Sequence, residues 1–254
     1  MVIIERVNNL LDAGATFCLA TVIASDSASI VQGSKAIVLD DGTVESGLNS
    51  EPLNLAIRDR ALAALSEKKS RITEIDDGIR IFFNVLSAEA RLLICGAGHI
   101  AIPLARFAAD VGFDITILDD RSDFAHPSRF PECTTIAENF TIALRDMPLG
   151  PSTYVVIITR GHEHDVDCLM EILPQKTAYV GLIGSRRRVS FVLQWLEEKG
   201  YSRQRLESVF TPIGIPIGAE SPAEIALSIV SELVCVRRKG SDQARILRSS
   251  LGIK

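Results

Sequence analysis

Four clusters in this 254-residue chain combine residue types that bind anions, titrate, or bring bare backbone up to a ligand. The first is Gly96-Ala97-Gly98-His99-Ile100-Ala101, which follows the apolar run Leu92, Leu93, Ile94, Cys95. Gly96 permits a tight strand-to-helix turn, Gly98 lets backbone approach a pyrophosphate, and Ala101 is small enough for close helix–sheet packing. An acid closes the next apolar segment. Asp119 follows Ile115 and Ile117 at alternating positions and stands about 20 residues past the glycines, where a carboxylate can accept from a ribose hydroxyl. This is a dinucleotide-binding fingerprint and predicts a ribose-bearing ligand such as NAD(P). The bland alternative is a scaffold whose glycines keep the turn while the crevice holds another ligand.

The second cluster is Thr159-Arg160-Gly161-His162-Glu163-His164-Asp165-Val166-Asp167. Two imidazoles and three carboxylates invite a metal, but His162 and His164 are two apart, which does not put them on one helix face. The reading is therefore no metal: His164 or Asp165 caps the following helix, and His162 is a candidate general base because an imidazole titrates near neutrality. In the third cluster, Gly184-Ser185 ends a strand and opens a helix with Arg186, Arg187 and Arg188. Ser185 can cap, the first helical amides point outward, and guanidinium groups grip phosphate in a bidentate fashion. Otherwise, one arginine pairs with a surface acid and the others are solvated. The fourth, residues 211–220, is a Gly/Pro loop too apolar for a linker; it either packs as structure or covers the crevice with Glu220 facing in.

The elements that must position these clusters read as two domains and a tail. Residues 1–88 form an α+β domain. Ile3, Ile4, Val7, Leu10 and Leu11 recur at helical spacing, a strand spans 17–24, and Asp-Asp-Gly turns at 40–42 and 76–78 close two hairpins around a helix at 52–66. From residue 89 the grammar becomes strands alternating with helices, predicting a Rossmann-like, doubly wound parallel sheet over 89–240. Its strands fall at 92–95, 114–118, 134–136, 154–159 and 178–183. Three of the four clusters then lie where ligands bind an open α/β sheet, at the carboxyl ends of strands. Ser221-Pro222-Ala223-Glu224 signals the final helix, with Ile225, Ile229 and Leu233 in a stripe that faces the sheet or a partner in a homodimer. Residues 241–254 read as a mobile polar tail.

Composition bounds the function. A net charge of −5 and pI near 5.5 argue against a sequence-independent nucleic-acid binder. Five scattered cysteines, none in a C-x-x-C pair, fit a reducing compartment. Glu5, Arg6 and Asp12 interrupt any signal-peptide core, and no apolar run reaches transmembrane length, so the expectation is a cytoplasmic protein without membrane contact.

Taken in order, Gly96 to His99, Asp119-Asp120-Arg121, Thr159 to Asp165, Gly184-Ser185-Arg186-Arg187, Pro212-Ile213-Gly214 and Ala219-Glu220-Ser221-Pro222 resemble the xanthine dehydrogenase accessory factor family of the XdhC/CoxI type. The likeness covers residues 92–237; residues 1–88 match in outline. It implies a non-catalytic factor that binds molybdenum cofactor, protects it while a cysteine desulfurase supplies its terminal sulfur, and passes it to a molybdenum hydroxylase. By resemblance the cofactor-binding positions are Gly96, Gly98, His99, Ala101, Asp119, Asp120, Arg121, Thr159, Arg160, His162, Gly184, Ser185, Arg186, Arg187 and Glu220. One departure stands out: the family's Gly-Gly-Cys segment is here Ser46-Gly47-Leu48-Asn49-Ser50-Glu51, without a thiol. The rival readings are an NAD(P)-dependent oxidoreductase with His99 or His162 as acid/base, and a nucleotide-sensing regulatory protein.

Overall fold

The computed structural model describes residues 3–27, 29–45, 47–48, 50–75 and 78–252, except for the side chain of Arg186. Ser46 and Asn49, and Asp76 and Asp77 of the second expected turn, lie outside the described residues. The chain divides into two compact units, Met1–Glu89 and Ala90–Lys254.

The first unit runs α1 (Ile3–Asp12), β1 (Thr16–Ser25), β2 (Lys35–Leu39), β3 (Val44–Glu45), α2 (Glu51–Glu67), β4 (Arg71–Glu74) and β5 (Ile79–Ser87). The strands form an antiparallel sheet in the order β3-β2-β1-β5-β4. Alternation along β1 sends Cys18, Ala20 and Val22 toward Leu53, Ile57 and Ala61 of α2. Phe17 and Ile37 pack on Leu10 of α1 in a separate cluster. Gly42, at φ +85°, turns the chain between β2 and β3, with the Asp41 carboxylate accepting from the Thr43 amide; this is the strand reversal expected of Asp-Gly.

The second unit contains β6 (Arg91–Cys95), α3 (Ala101–Asp110), β7 (Asp114–Asp119), β8 (Thr134–Ala137), α4 (Phe140–Arg145), β9 (Thr153–Ile157), α5 (His162–Ile172), β10 (Tyr179–Leu182), α6 (Arg186–Glu198), α7 (Arg203–Glu207), α8 (Pro222–Lys239) and α9 (Ser241–Ser250). Its sheet is parallel, in the order β10-β9-β6-β7-β8. The winding reverses between β6 and β9, the switch point at which such sheets open a crevice. Period-two alternation covers both faces. Leu92 and Ile94 join α3 and α8 on one side, while Leu93 and Cys95 join α4, α5 and α6 on the other. This is the doubly wound α/β fold expected.

Two expectations resolve differently. The apolar stripe of α8 packs on α3 and the sheet, with Ala226, Ile229 and Leu233 buried in the same core, so it offers no argument for a homodimer. Where the sequence predicts a mobile tail, residues 241–250 form α9 packed on α8, with Ala244 and Arg248 buried. The anchor is a long-range ion pair between Arg248 and Glu232, which local polarity does not reveal. Among the described residues no helix is long and apolar enough to cross a membrane.

Candidate functional site

The carboxyl edge of the parallel sheet gathers most of the predicted residues. Gly96 leaves β6 at φ +110°, and a Cβ there would lie 2.5 Å from the Ile158 carbonyl oxygen, so the turn needs glycine for both conformation and space. Gly98 differs: a Cβ would meet no protein atom within 4 Å. The space a side chain would take there is therefore open, as a phosphate approach requires. His99 beside it is exposed, and Ala101 is buried where α3 meets the sheet.

Asp119 is turned away from that space. Only 1 % exposed, its carboxylate accepts from the Ala97 amide at 2.7 Å and the Arg121 amide at 3.1 Å. The Arg121 guanidinium adds two bonds at 2.8 Å, Nε to Oδ1 and Nη2 to Oδ2. Burial raises the Asp119 pKa, but the Arg121 guanidinium and the two amides outweigh it and hold the group below the usual carboxylate range. The geometry is that of a lock on the glycine turn, and both oxygens are engaged before any ribose arrives. Arg121 in turn lies 3.6 Å from the centre of the Phe124 ring. Arg129, which no sequence pattern singled out, donates to the carbonyls of Ala97 and Phe124 and secures the turn from another side.

Asp120 and Arg160 follow β7 and β9, the two strands that flank β6. Strand spacing puts those ends about 10 Å apart, and a bidentate pair at 2.5 and 2.7 Å bridges them. It spans the carboxyl end of β6, from which the glycine turn leaves. Arg160 holds the Asp120 carboxyl down at about 2.

Beyond β9, Thr159 donates to the buried Asp165 carboxylate at 2.6 Å, and Arg188 donates to its other oxygen through Nε, at 2.8 Å, and Nη2. Burial pushes the Asp165 pKa up, and the Thr159 and Arg188 hydrogen bonds only partly offset it. Asp165 is thus not the cap of α5, whose N-cap is Gly161; it is a buried anchor that aims Arg188. One arginine does find an acid, but a buried one. Ser185 caps α6 by accepting from the Arg188 amide, after Gly184 completes the turn. Arg187 is exposed and makes no ion pair among the described residues. His162, Ser185, Arg187, Arg188 and Phe191 line a hollow of about 470 Å³.

The loop at 211–220 packs against α8: the Gly214 amide donates to Glu232 at 3.0 Å, and the Ser228 hydroxyl donates to the Ile215 carbonyl at 2.7 Å. Glu220 is exposed, beside the capping box of Ser221 and Glu224. Glu232, fully buried, also accepts from Tyr179 and Arg248. Sequence reasoning missed this hub, although a glutamate in an otherwise apolar helix stripe was its signal. Among the described residues no three His, Cys, Asp or Glu side chains are grouped to hold a metal. Cys18, Cys95 and Cys168 are buried, and Cys133 and Cys235 partly so.

The edge thus holds open space at Gly98, an exposed guanidinium at Arg187 and one at Arg188 held by Asp165. A family model described as XdhC Rossmann domain matches residues 92–233, and one described as XdhC and CoxI family matches residues 10–76. The uncharacterized protein YqeB of Escherichia coli (strain K12) is 28 % identical over 93 % of this chain and 46 % of its own length. The molybdenum cofactor insertion chaperone PaoD of the same organism is 28 % identical over 58 % of this chain and 40 % of its own. The chain thus spans less than half the length of these relatives. A crystal structure of a xanthine dehydrogenase from Bacillus halodurans superposes with a TM-score of 0.68 at 26 % identity, covering 98 % of this chain and 70 % of that one. With its Rossmann unit matched from the first core strand into the last long helix, the chain belongs to the XdhC and CoxI family.

Proposed function

We propose that this protein binds molybdenum cofactor as cargo, shelters it during maturation, and inserts it into a molybdenum hydroxylase of the xanthine dehydrogenase type. The observation that carries the reading is the glycine turn held rigid by Asp119 yet bare at Gly98. Molybdopterin bears a phosphate, and this turn with the Arg187 and Arg188 guanidiniums gives that phosphate donors and positive charge. The chain itself binds and orients; the chemistry belongs to the cargo and to its recipient.

Cys18, Cys95 and Cys168 are buried, and sulfur transfer in this reading falls to a partner cysteine desulfurase acting on the bound cofactor. A cytoplasmic homodimer completes the proposal, formed through a surface other than the α8 stripe. Hydride transfer is the weaker reading, because the ribose acceptor it needs is engaged elsewhere.

The test is anaerobic purification from the native cell, followed by oxidation of bound material to its fluorescent pterin derivative. About one equivalent per binding site is expected, with loss in Gly98→Val. Pterin-free protein, together with normal molybdenum hydroxylase activity in cells lacking it, overturns the proposal.

A further inference from the structure

Helices α5 and α6 each raise a stripe of side chains beside their shared groove. On α5, His162, Val166 and Met170 recur every fourth residue; on α6, Arg188, Phe191 and Trp195 recur at intervals of three and four, the spacings that put residues on one helical face. The stripes line two adjoining hollows, of about 470 and 300 Å³, that share His162 and Phe191. The first hollow is cationic chiefly through Arg187, with the Arg188 guanidinium beside it already paired with Asp165. The second is lined by Glu163, Asp167 and Trp195, among others.

Phe191 stands between these ends, 56 % exposed although its helix buries Val189, Val192 and Leu196. His162 makes a T-shaped contact with it, with ring centres 5.7 Å apart and planes at 86°, and more than half of the Phe191 surface still remains open to a ligand. In order, the groove offers positive charge, an aromatic face and carboxylates. The complementary ligand has an anionic group at one end, a flat ring in the middle, and N–H donors at the far edge.

We propose that the α5–α6 groove binds a phosphorylated, amino-substituted heteroaromatic ring of the pterin or guanine kind. The phosphate lies at Arg187 and Arg188, the ring on Phe191, and the amino and ring N–H edge toward Glu163 and Asp167. This deepens the cofactor reading and rests on it only for the identity of the natural ligand, since pterin and guanine share the aminopyrimidinone N–H edge that the acids would read.

Trp195 is the sole tryptophan of the chain, so the groove carries its own reporter. Guanosine 5′-monophosphate titrated into the full chain is expected to change Trp195 emission saturably. Inosine 5′-monophosphate, which lacks the amino group, and guanosine, which lacks the phosphate, should each bind roughly tenfold or more weakly, the loss expected for one charge-assisted hydrogen bond. Phe191→Ala and Arg187→Ala, both at exposed positions, should weaken the nucleotide by a similar factor while leaving the circular dichroism unchanged. The groove proposal falls if the nucleotide leaves Trp195 emission unchanged, or if its affinity is the same in both variants. Pterin retained by anaerobically purified protein alongside such a failure would sink the groove and spare the cofactor reading. Nucleotide binding that depends on Phe191, in protein that retains no pterin, would do the reverse.

Discussion

Replacing Asp119 by alanine separates a turn lock from a ribose acceptor. The substitution removes the acceptor of the buried Ala97 amide, and an unsatisfied buried donor costs about 1–3 kcal/mol. It also breaks the ion pair with Arg121, but that side chain is 32 % exposed, so water recovers most of its charge and the added loss is about 1 kcal/mol. A total of roughly 2–4 kcal/mol lowers the melting temperature of a domain this size by roughly 5–15 °C. Asp119→Asn keeps one acceptor oxygen and should lose about half as much. The pH dependence has a fixed sign. Because the folded-state pKa lies below the ordinary carboxylate value, the stabilisation is fully present above that ordinary value and disappears as pH falls through the folded one. The variant should therefore differ most from wild type near neutrality and converge with it in acid. Thermal unfolding at several pH values, paired with an ADP-ribose titration, makes the measurement. If Asp119→Ala melts within about 2 °C of wild type and loses ADP-ribose binding, the carboxylate serves a ligand and the lock is refuted.

Three further outcomes are expected. Gly96→Ala should cost more than about 2 kcal/mol in urea unfolding, since it adds a left-handed strain to a backbone clash; Gly98→Ala should stay within about 0.5 kcal/mol yet retain less pterin, and equal retention would count against the phosphate approach. Glu232→Ala strands a buried guanidinium and should cost about 3–5 kcal/mol, whereas Glu232→Leu combined with Arg248→Met should recover only the guanidinium's part of it, because the Gly214 amide and the Tyr179 hydroxyl lose their acceptor in both; a double variant as unstable as the single would contradict this. The Asp120 carboxyl should titrate at about 2 by carbon-13 NMR and rise toward the ordinary value in Arg160→Ala; an unmoved inflection would show that the pair does not persist in solution.

Much of the architecture was legible because it depends on local rules. The apolar run at 92–95 and the alternation at 114–118 named two strands of the parallel sheet, Ser221 and Glu224 form both halves of their capping box, and Gly96 sits in the left-handed turn its position demanded. What stayed hidden involves partners distant in sequence or side-chain direction. Asp119 is on register for a ribose, yet its χ angles turn it toward Ala97. Arg188 looked like one of three equivalent cations, and only the fold brings Asp165, 23 residues away, beneath it. Likewise, the polarity of residues 241–250 concealed an arginine whose acid lies on the preceding helix. Periodicity reports which face a residue occupies; it does not report which buried charge waits there.

Arg187 and Arg188 are neighbours in sequence but opposite in what they have already given up. An arginine side chain has about 2 kcal/mol of rotamer entropy to lose, and Asp165 has withdrawn most of it from Arg188 during folding, whereas Arg187 still holds its share. An anion arriving at α6 therefore meets one guanidinium whose fork is already fixed on Asp165 and one loose arm that closes afterward. Lysine at 187 would keep the arm, while lysine at 188 would lose the fork.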